Sequence, residues 1–121
     1  MATTQFHTTA QLTEAALPRL EPGDHLDQPT FHERYEVAPD NVSAELIGGV
    51  VYMPAALRIE HGDVHGEIMV WLKTYKASTP GTLAVDNTSV ILAEDSEPQP
   101  DATLLILPQF GGQTKIKDGY I

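Results

Sequence analysis

The sequence predicts a mixed α/β fold of the α+β kind, in which one main helix packs on a small mixed sheet. Three features carry this prediction: two β-rich runs at 44–47 and 50–53 around a Gly-Gly pair, an amphipathic helix at 61–78, and a short apolar run at 102–107. A helix with one apolar face must bury that face against another element. We therefore expect the 44–53 hairpin, a strand pair at 82–92 and the 102–107 strand to form one sheet beneath the helix.

Length and composition limit the classes of protein to which the chain can belong. The 121 residues suit one small domain, and 41% of them are hydrophobic, which is enough for a modest core. The absence of cysteine excludes disulfides and thiolate zinc sites. The sequence has no run of 18 apolar residues and no basic region followed by an apolar stretch at its start, so we expect a cytoplasmic protein without a membrane partner.

The charge of the chain argues against a simple nucleic-acid binder. The formal net charge is −10, with 7 Lys and Arg against 17 Asp and Glu. The only basic pairs are Lys73 with Lys76, and Lys115 with Lys117. Proteins that bind nucleic acid tightly present basic patches to the phosphates. A nuclease is less affected, because bound divalent cations offset its acidic groups.

The first 30 residues carry weak signals and are interpreted as an irregular N-terminal arm, 1–30. Thr13–Leu17 could begin a helix, but Pro18 limits it. The domain is expected to occupy 31–121. Its first segment, Phe31 to Val37, fits either an edge strand or a helical turn, and the pattern does not decide between them.

The pair Gly48-Gly49 predicts a hairpin with a primed turn, because both central positions of such a turn require a positive φ. Side chains alternate along a strand, so Glu45 and Ile47 share one face. If Ile47 points into the core, Glu45 is an inward carboxylate, which needs a partner or a metal ion. If Leu46 faces the core instead, Glu45 is solvated. The sequence leaves both possibilities open.

The helix at 61–78 has an apolar stripe of Ile68, Leu72 and Tyr75 and ends at Thr79-Pro80-Gly81. Extending the stripe backwards by fours reaches His65 and His61. Two histidines at this spacing can bind a metal ion, but the sequence shows no third ligand near them. The alternatives are a buried histidine that orients a carboxylate, or a half-buried histidine without a special role.

The approach to the last predicted strand contains two prolines, Pro98 and Pro100, which hold the chain extended. Asp101 then lies immediately before an apolar strand, in a position that suits a metal-binding acid. The alternative is a solvated aspartate at a loop-to-strand junction. Before it, 82–85 and 89–92 are predicted strands around a turn at 86–88. The acidic stretch 94–97 is expected to be solvated.

The order of these motifs resembles a known family. Three motifs, in this order, are similar to the Uma-type family of restriction endonucleases. They are the stretch Glu45-Leu46-Ile47-Gly48-Gly49, then His65-Gly66-Glu67-Ile68 at the start of a helix, and then Pro100-Asp101 at the start of an apolar strand. That family is part of the PD-(D/E)xK nuclease superfamily. The resemblance spans roughly 31–121, and the combination of motifs is more specific than any one of them.

The resemblance implies a restriction-endonuclease-like core that hydrolyses DNA with a divalent cation, Mg²⁺ or Mn²⁺. Glu45 matches the acid of the hairpin motif and Asp101 matches the metal-binding Asp, so both are expected catalytic residues and metal ligands. His65 matches the histidine at the start of the helix and is expected to support catalysis. His61 has no counterpart in the motif.

The chain departs from the superfamily pattern after Asp101. The pattern continues with an acid two residues before a lysine, whereas this chain offers Lys115-Ile116-Lys117 without that acid. It is therefore expected to be C-terminally incomplete, the N-terminal part of such a domain. The resulting hypothesis is a metal-dependent DNA endonuclease whose missing groups come from elsewhere. The alternative is a non-catalytic interaction or dimerisation module. In both cases, an exposed edge at 102–107 predicts a homo-oligomer.

Overall fold

The computed structural model of the protein describes residues 17–54 and 57–121. In these ranges it contains helix α1 (Gln28–Glu36), strands β1 (Glu45–Ile47) and β2 (Val50–Tyr52), helix α2 (Ile59–Ser78), strands β3 (Thr82–Asp86) and β4 (Ala102–Ile106), and a 3₁₀ turn (Pro108–Phe110). The mixed α and β class is therefore confirmed. The short helix predicted at Thr13–Leu17 falls almost wholly outside the described residues.

The first hairpin forms as the Gly-Gly pair predicts. Strands β1 and β2 pair antiparallel, with Glu45 opposite Tyr52 and Ile47 opposite Val50. Gly48 and Gly49 have φ of 57° and 80°, which are the positive values that a primed two-residue turn needs. Glycine adopts them without the clash that a Cβ atom would cause.

Helix α1 resolves the undecided stretch near Phe31 in favour of a helix. Asp27 caps it, since its Oδ1 accepts the backbone N–H of Thr30 at 2.9 Å, and Pro29 occupies the first turn, where no N–H is needed. The cap hydrogen bonds favour the charged carboxylate and hold the pKa of Asp27 below its usual value. The helix begins at Gln28, before the expected domain boundary at residue 31.

The main core lies between α1 and the first hairpin. Its buried members are Leu20, Phe31, Ala44, Leu46 and Val51, and partly buried Leu26, Tyr35 and Met53 pack against them. Burying a side chain such as Phe31, Leu46 or Val51 contributes about 1.5–3 kcal/mol. This cluster fixes the position of β1 and therefore of Glu45, the residue before Leu46.

Helix α2 covers the second strand pair, but not mainly through the predicted stripe. Leu72 is half-buried as expected, together with His65 and Met69, and Lys73 Nζ donates to the carbonyl of Ala84 at 2.7 Å. Ile68 and Tyr75 are 38% and 46% exposed, so the contact face is rotated away from them. The hydrogen bond from Lys73 to β3 holds this other face of α2 against the strand pair.

The prediction of one sheet is wrong, because the structure has two separate two-stranded antiparallel sheets, β1-β2 and β3-β4. Residues 89–92 do not form the predicted strand next to β3. Instead, Val90 N–H bonds the carbonyl of Pro98, Ile91 N–H bonds that of Ile121, and β4 takes the place beside β3. An isolated β-bridge between Leu46 and Glu97 links strand β1 to the segment that precedes β4.

Strand β4 was predicted at 102–107, and its position is confirmed, but its burial is less than expected. Leu105 is buried, whereas Leu104 and Ile106 are 42% and 53% exposed. In the part of the chain that the structure describes, only β3 pairs with β4. Its other edge is left open, as expected for an unpaired apolar strand.

None of the helices in the described ranges is both long and apolar enough to cross a membrane.

Candidate functional site

Glu45 lies at the margin of the core. Leu46 faces the core with no exposure, and Ile47 is 49% exposed, so the alternative in which Leu46 points inward is the correct one. The Glu45 side chain is nevertheless not simply solvated. It is half-buried, and its Oε1 accepts the backbone N–H of Gln99 at 2.7 Å.

Gln99 brings three parts of the fold together. Its backbone holds Glu45 of β1, and its side-chain Nε2 donates to the carbonyl of Asn87, directly after β3, at 2.9 Å. Only Pro100 separates Gln99 from Asp101, so the Cα atoms of residues 99 and 101 are at most about 7.6 Å apart. Glu45 and Asp101 are thus attached to the same short segment.

Asp101 is open to solvent beside the end of β3. Its side chain is 56% exposed, and its backbone carbonyl accepts the N–H of Asn87 at 3.2 Å. The histidine nearest to its carboxylate is His61, with Nε2 3.5 Å from Oδ2. His61, which matches no residue of the family motif, therefore contacts the predicted metal-binding acid.

His65 lies near the carboxylate of Asp86, which is not one of the two expected metal ligands. Its Nε2 lies 3.6 Å from Asp86 Oδ2, which is too long for a hydrogen bond. The same nitrogen is buried and has no hydrogen-bond partner. The rings of His61 and His65 are stacked, with centroids 6.2 Å apart and planes 8° from parallel. Both histidines lie near aspartates at the end of the β3–β4 pair, but only His65 continues the predicted buried face, because His61 is 39% exposed.

The carboxylates and imidazoles near Asp101 are suited to divalent cations, but they are not assembled into a coordination sphere. Across residues 17–54 and 57–121, no group of three or more His, Asp or Glu side chains has the arrangement of a metal site. Glu45 and Asp101 offer carboxylate oxygens, the ligands that Mg²⁺ and Mn²⁺ prefer. With two acids, water would supply most of the coordination, and binding would be weak.

A second polar cluster, which the sequence analysis missed, surrounds Glu97. This residue is 1% exposed, although the acidic stretch 94–97 was expected to be solvated, so that expectation is wrong for Glu97. Gln28 Nε2 donates to Glu97 Oε1 at 2.7 Å, and His32 Nδ1 lies 2.9 Å and 3.0 Å from its two oxygens. The bridge to Leu46 draws Glu97 inward, and the two α1 side chains form hydrogen bonds with its carboxylate.

The same cluster continues to the surface through His32 and Tyr120. His32 Nε2 lies 2.9 Å from Glu36 Oε1, so both ring nitrogens face carboxylates, and both must donate for the two hydrogen bonds to form. Tyr120 packs edge-on against the imidazole, with centroids 4.6 Å apart. Burial, and then the negative charge of Glu36, raise the pKa of the Tyr120 phenol above its usual value.

A polar cleft of about 390 Å³ opens beside this cluster. It lies between the C-terminal end of α1 and the segment after β3, and Glu36, Tyr120 and Gln99 are among the residues that line it. Gln99 therefore touches both the cleft and Glu45. The sequence did contain a signal for the cluster, because Gln28, His32 and Glu36 are spaced by four and form one polar stripe along a helix.

Comparisons with known proteins add no relative to this description. No protein-family model matches the chain, and a search of curated proteins found no match either.

Proposed function

We propose that the protein contributes the metal-binding acids of a DNA endonuclease that hydrolyses phosphodiester bonds with Mg²⁺ or Mn²⁺. Glu45 and Asp101 are the proposed ligands, and His65 is the proposed supporting residue. The proposal rests on the resemblance to the Uma-type family and on one structural observation. The backbone N–H of Gln99 donates to the Glu45 carboxylate at 2.7 Å, and only Pro100 separates Gln99 from Asp101 along the chain.

The residues of this corner have properties that suit such a role. Gln99 fixes one oxygen of Glu45, which orients the carboxylate and leaves the second oxygen for an ion. Asp101 is more than half exposed, so substrate can reach it. When bound, a divalent cation would lower the pKa of a coordinated water and neutralise charge on the scissile phosphate. It would also offset the net charge of −10, which otherwise repels DNA.

The experiment is a cleavage assay on supercoiled plasmid DNA with Mn²⁺, Mg²⁺ or a chelator. The full chain is compared with Asp101→Asn, Glu45→Gln and the control Asp63→Asn, an exposed acid on α2. We expect Mn²⁺-dependent nicking in the full chain and the control, and at least about a hundredfold loss in the other two variants, as for removal of a group that acts on the transition state. Equal nicking by all four proteins, or none by any of them, would refute the proposal.

A second candidate is an interaction or dimerisation module, and the exposed apolar surface favours it. On α2, Trp71 and Val70 are 70% and 68% exposed, and Val64 is 55% exposed. The open edge of β4 adds Leu104 and Ile106. Large exposed apolar patches mark interaction sites in soluble proteins. This function does not require a metal ion, so the cleavage assay separates it from the first.

A further inference from the structure

We propose that His61, His65, Asp86 and Asp101 bind one divalent transition-metal ion of the class that prefers imidazole ligands, such as Zn²⁺ or Co²⁺. The four residues are called the His-Asp quartet below. They join the N-terminal half of α2 to the end of the β3–β4 pair. The proposal goes beyond the endonuclease proposal and does not rest on it, since Glu45 takes no part.

The backbone brings the four residues to one corner. His61 and His65 are four residues apart, so they lie on one side of α2. Asp86 pairs with Ala102 in the β3–β4 register, and Asp101 is the residue before Ala102. The hydrogen bond from Asn87 N–H to the Asp101 carbonyl closes this end of the strand pair. His61, His65 and Asp86 lie in regular elements, and Asp101 directly precedes β4.

The two His–Asp distances fit a shared ion better than hydrogen bonds. The nitrogen–oxygen separations are 3.5 Å for His61 with Asp101 and 3.6 Å for His65 with Asp86. Hydrogen bonds between such atoms are about 2.7–3.2 Å long. Two ligands at about 2.0–2.2 Å from one tetrahedral ion lie roughly 3.4 Å from each other. Each pair therefore already has about the spacing of two ligands on one ion.

An unsatisfied nitrogen belongs to one of these two contacts. His65 Nε2 is buried, has no hydrogen-bond partner, and lies 3.6 Å from Asp86 Oδ2. Buried polar atoms in folded proteins are normally paired, with an ion or water accounting for many exceptions. A metal ion bound by the lone pair of this nitrogen would satisfy it.

The quartet needs a side-chain movement before it can bind one ion. The stacked imidazole centroids are 6.2 Å apart, and the described residues contain no preformed group of three ligands. His61 is 39% exposed, so its ring is free to rotate toward His65. Two imidazoles and two carboxylates then give four ligands and balance the charge of the ion. Nitrogen ligands select Zn²⁺ and Co²⁺ over Mg²⁺.

The test is a titration of the full, untagged chain with Co²⁺, followed by visible absorption. We expect the intense d–d bands of tetrahedral Co²⁺, saturation at one equivalent, and loss of the bands when Zn²⁺ is added. His61→Ala and His65→Ala should each weaken Co²⁺ binding at least about tenfold, the minimum seen when even an outer residue of a metal site is removed. His25→Ala, an exposed histidine outside the quartet, should bind as the unchanged chain does.

The outcomes separate this proposal from the endonuclease. Glu45→Gln should keep the Co²⁺ bands while losing Mn²⁺-dependent nicking, and Asp101→Asn should lose both. Far-UV circular dichroism of each variant checks that it is folded. The proposal is overturned if the bands are weak and octahedral, if His61→Ala and His65→Ala bind Co²⁺ as tightly as the unchanged chain, or if His25→Ala alone loses them.

Discussion

Glu97 shows how a single carboxylate can be structural although its sequence context looks like a solvated loop. Its neighbours Glu94 and Asp95 are exposed, while Glu97 is 1% exposed. Burying a carboxylate is costly unless hydrogen bonds and an opposite charge compensate. Gln28 and His32 supply hydrogen bonds from α1, which tie that helix to the segment leading into β4.

Replacing Glu97 should therefore destabilise the fold strongly. We expect Glu97→Ala to lower the free energy of unfolding by about 1–3 kcal/mol, because His32 and Gln28 lose their hydrogen-bond partner inside the protein. Glu94→Ala, an exposed acid on the same stretch, should change it by less than about 0.5 kcal/mol. Urea unfolding measures both values. Similar small effects for the two variants would show that the Glu97 network contributes little.

Tyr120 gives a pH-dependent prediction at the same cluster. Its folded pKa is raised from the usual 10.0, so the folded state retains the phenol proton more strongly than the unfolded state does. The resulting stability is fully present below about pH 10 and is lost as the pH rises through the folded pKa. The difference between the ultraviolet titrations of the unchanged chain and Tyr120→Phe reports this one phenol. A midpoint at or below 10 would contradict the prediction.

At the scale of elements, local signals predicted local structure. Gly48-Gly49 gave the hairpin because a primed turn depends on two residues, and Thr79-Pro80-Gly81 marked the end of α2 correctly. The pairing of strands was not predictable in this way. Residues 89–92 have strand-like composition, but their hydrogen bonds go to Pro98, Ile121 and Ser96, which are contacts that no local pattern specifies.

The candidate site was predictable to a similar extent. The helical spacing placed His61 and His65 on one side of α2, although only His65 continues its buried face, since His61 is 39% exposed. Alternation correctly left Glu45 and Leu46 on opposite faces. Which histidine meets which aspartate depends on how α2 crosses β3 and β4, and a sequence pattern does not contain that crossing. The burial of Glu97 likewise depends on its bridge to Leu46, a contact between distant parts of the chain.

Two glycines should respond in opposite ways to the same change. Gly49 has a φ of 80°, so Gly49→Ala should lower the free energy of unfolding by about 1–2 kcal/mol through backbone strain. Gly66 lies inside α2, and apart from its chain neighbours and the helix backbone no described atom lies within 4 Å of the position that an alanine Cβ would occupy. Gly66→Ala should therefore raise the free energy of unfolding by about 0.5–1 kcal/mol. Thermal or urea unfolding measures both changes. Effects of the same sign would contradict these element assignments.

At the scale of the whole molecule, two small layers are joined by the segment 94–99, which forms hydrogen bonds to both of them. The α1 and β1-β2 layer encloses the main core, whereas among the described residues of α2, β3 and β4 the buried ones are Thr82, Ala84 and Leu105. The second layer thus buries fewer residues than the first, and its outer surface carries exposed apolar residues. Covering that surface would stabilise the layer that holds Asp101.

We therefore expect the chain to form a homodimer or larger assembly through this surface. Trp71→Lys, which adds a charge to the exposed face of α2, should shift the protein toward a monomer. Lys76→Glu, an exposed polar position on the same helix, serves as the control. Light scattering over a range of concentrations measures the mass. A monomer at high concentration for the unchanged chain would contradict the expectation.

The central claim is that Glu45 and Asp101 act on one cation, and a Mn²⁺ titration of the melting temperature tests it most directly. Because an ion that binds only the folded state stabilises it, Mn²⁺ should raise the melting temperature of the full chain. The rise should be absent in Asp101→Ala and Glu45→Gln and unchanged in Asp63→Ala. An equal rise in Asp101→Ala would contradict the claim, as would a measured separation of the two carboxyl groups above about 10 Å, which no single ion with oxygen ligands at about 2–2.6 Å could span.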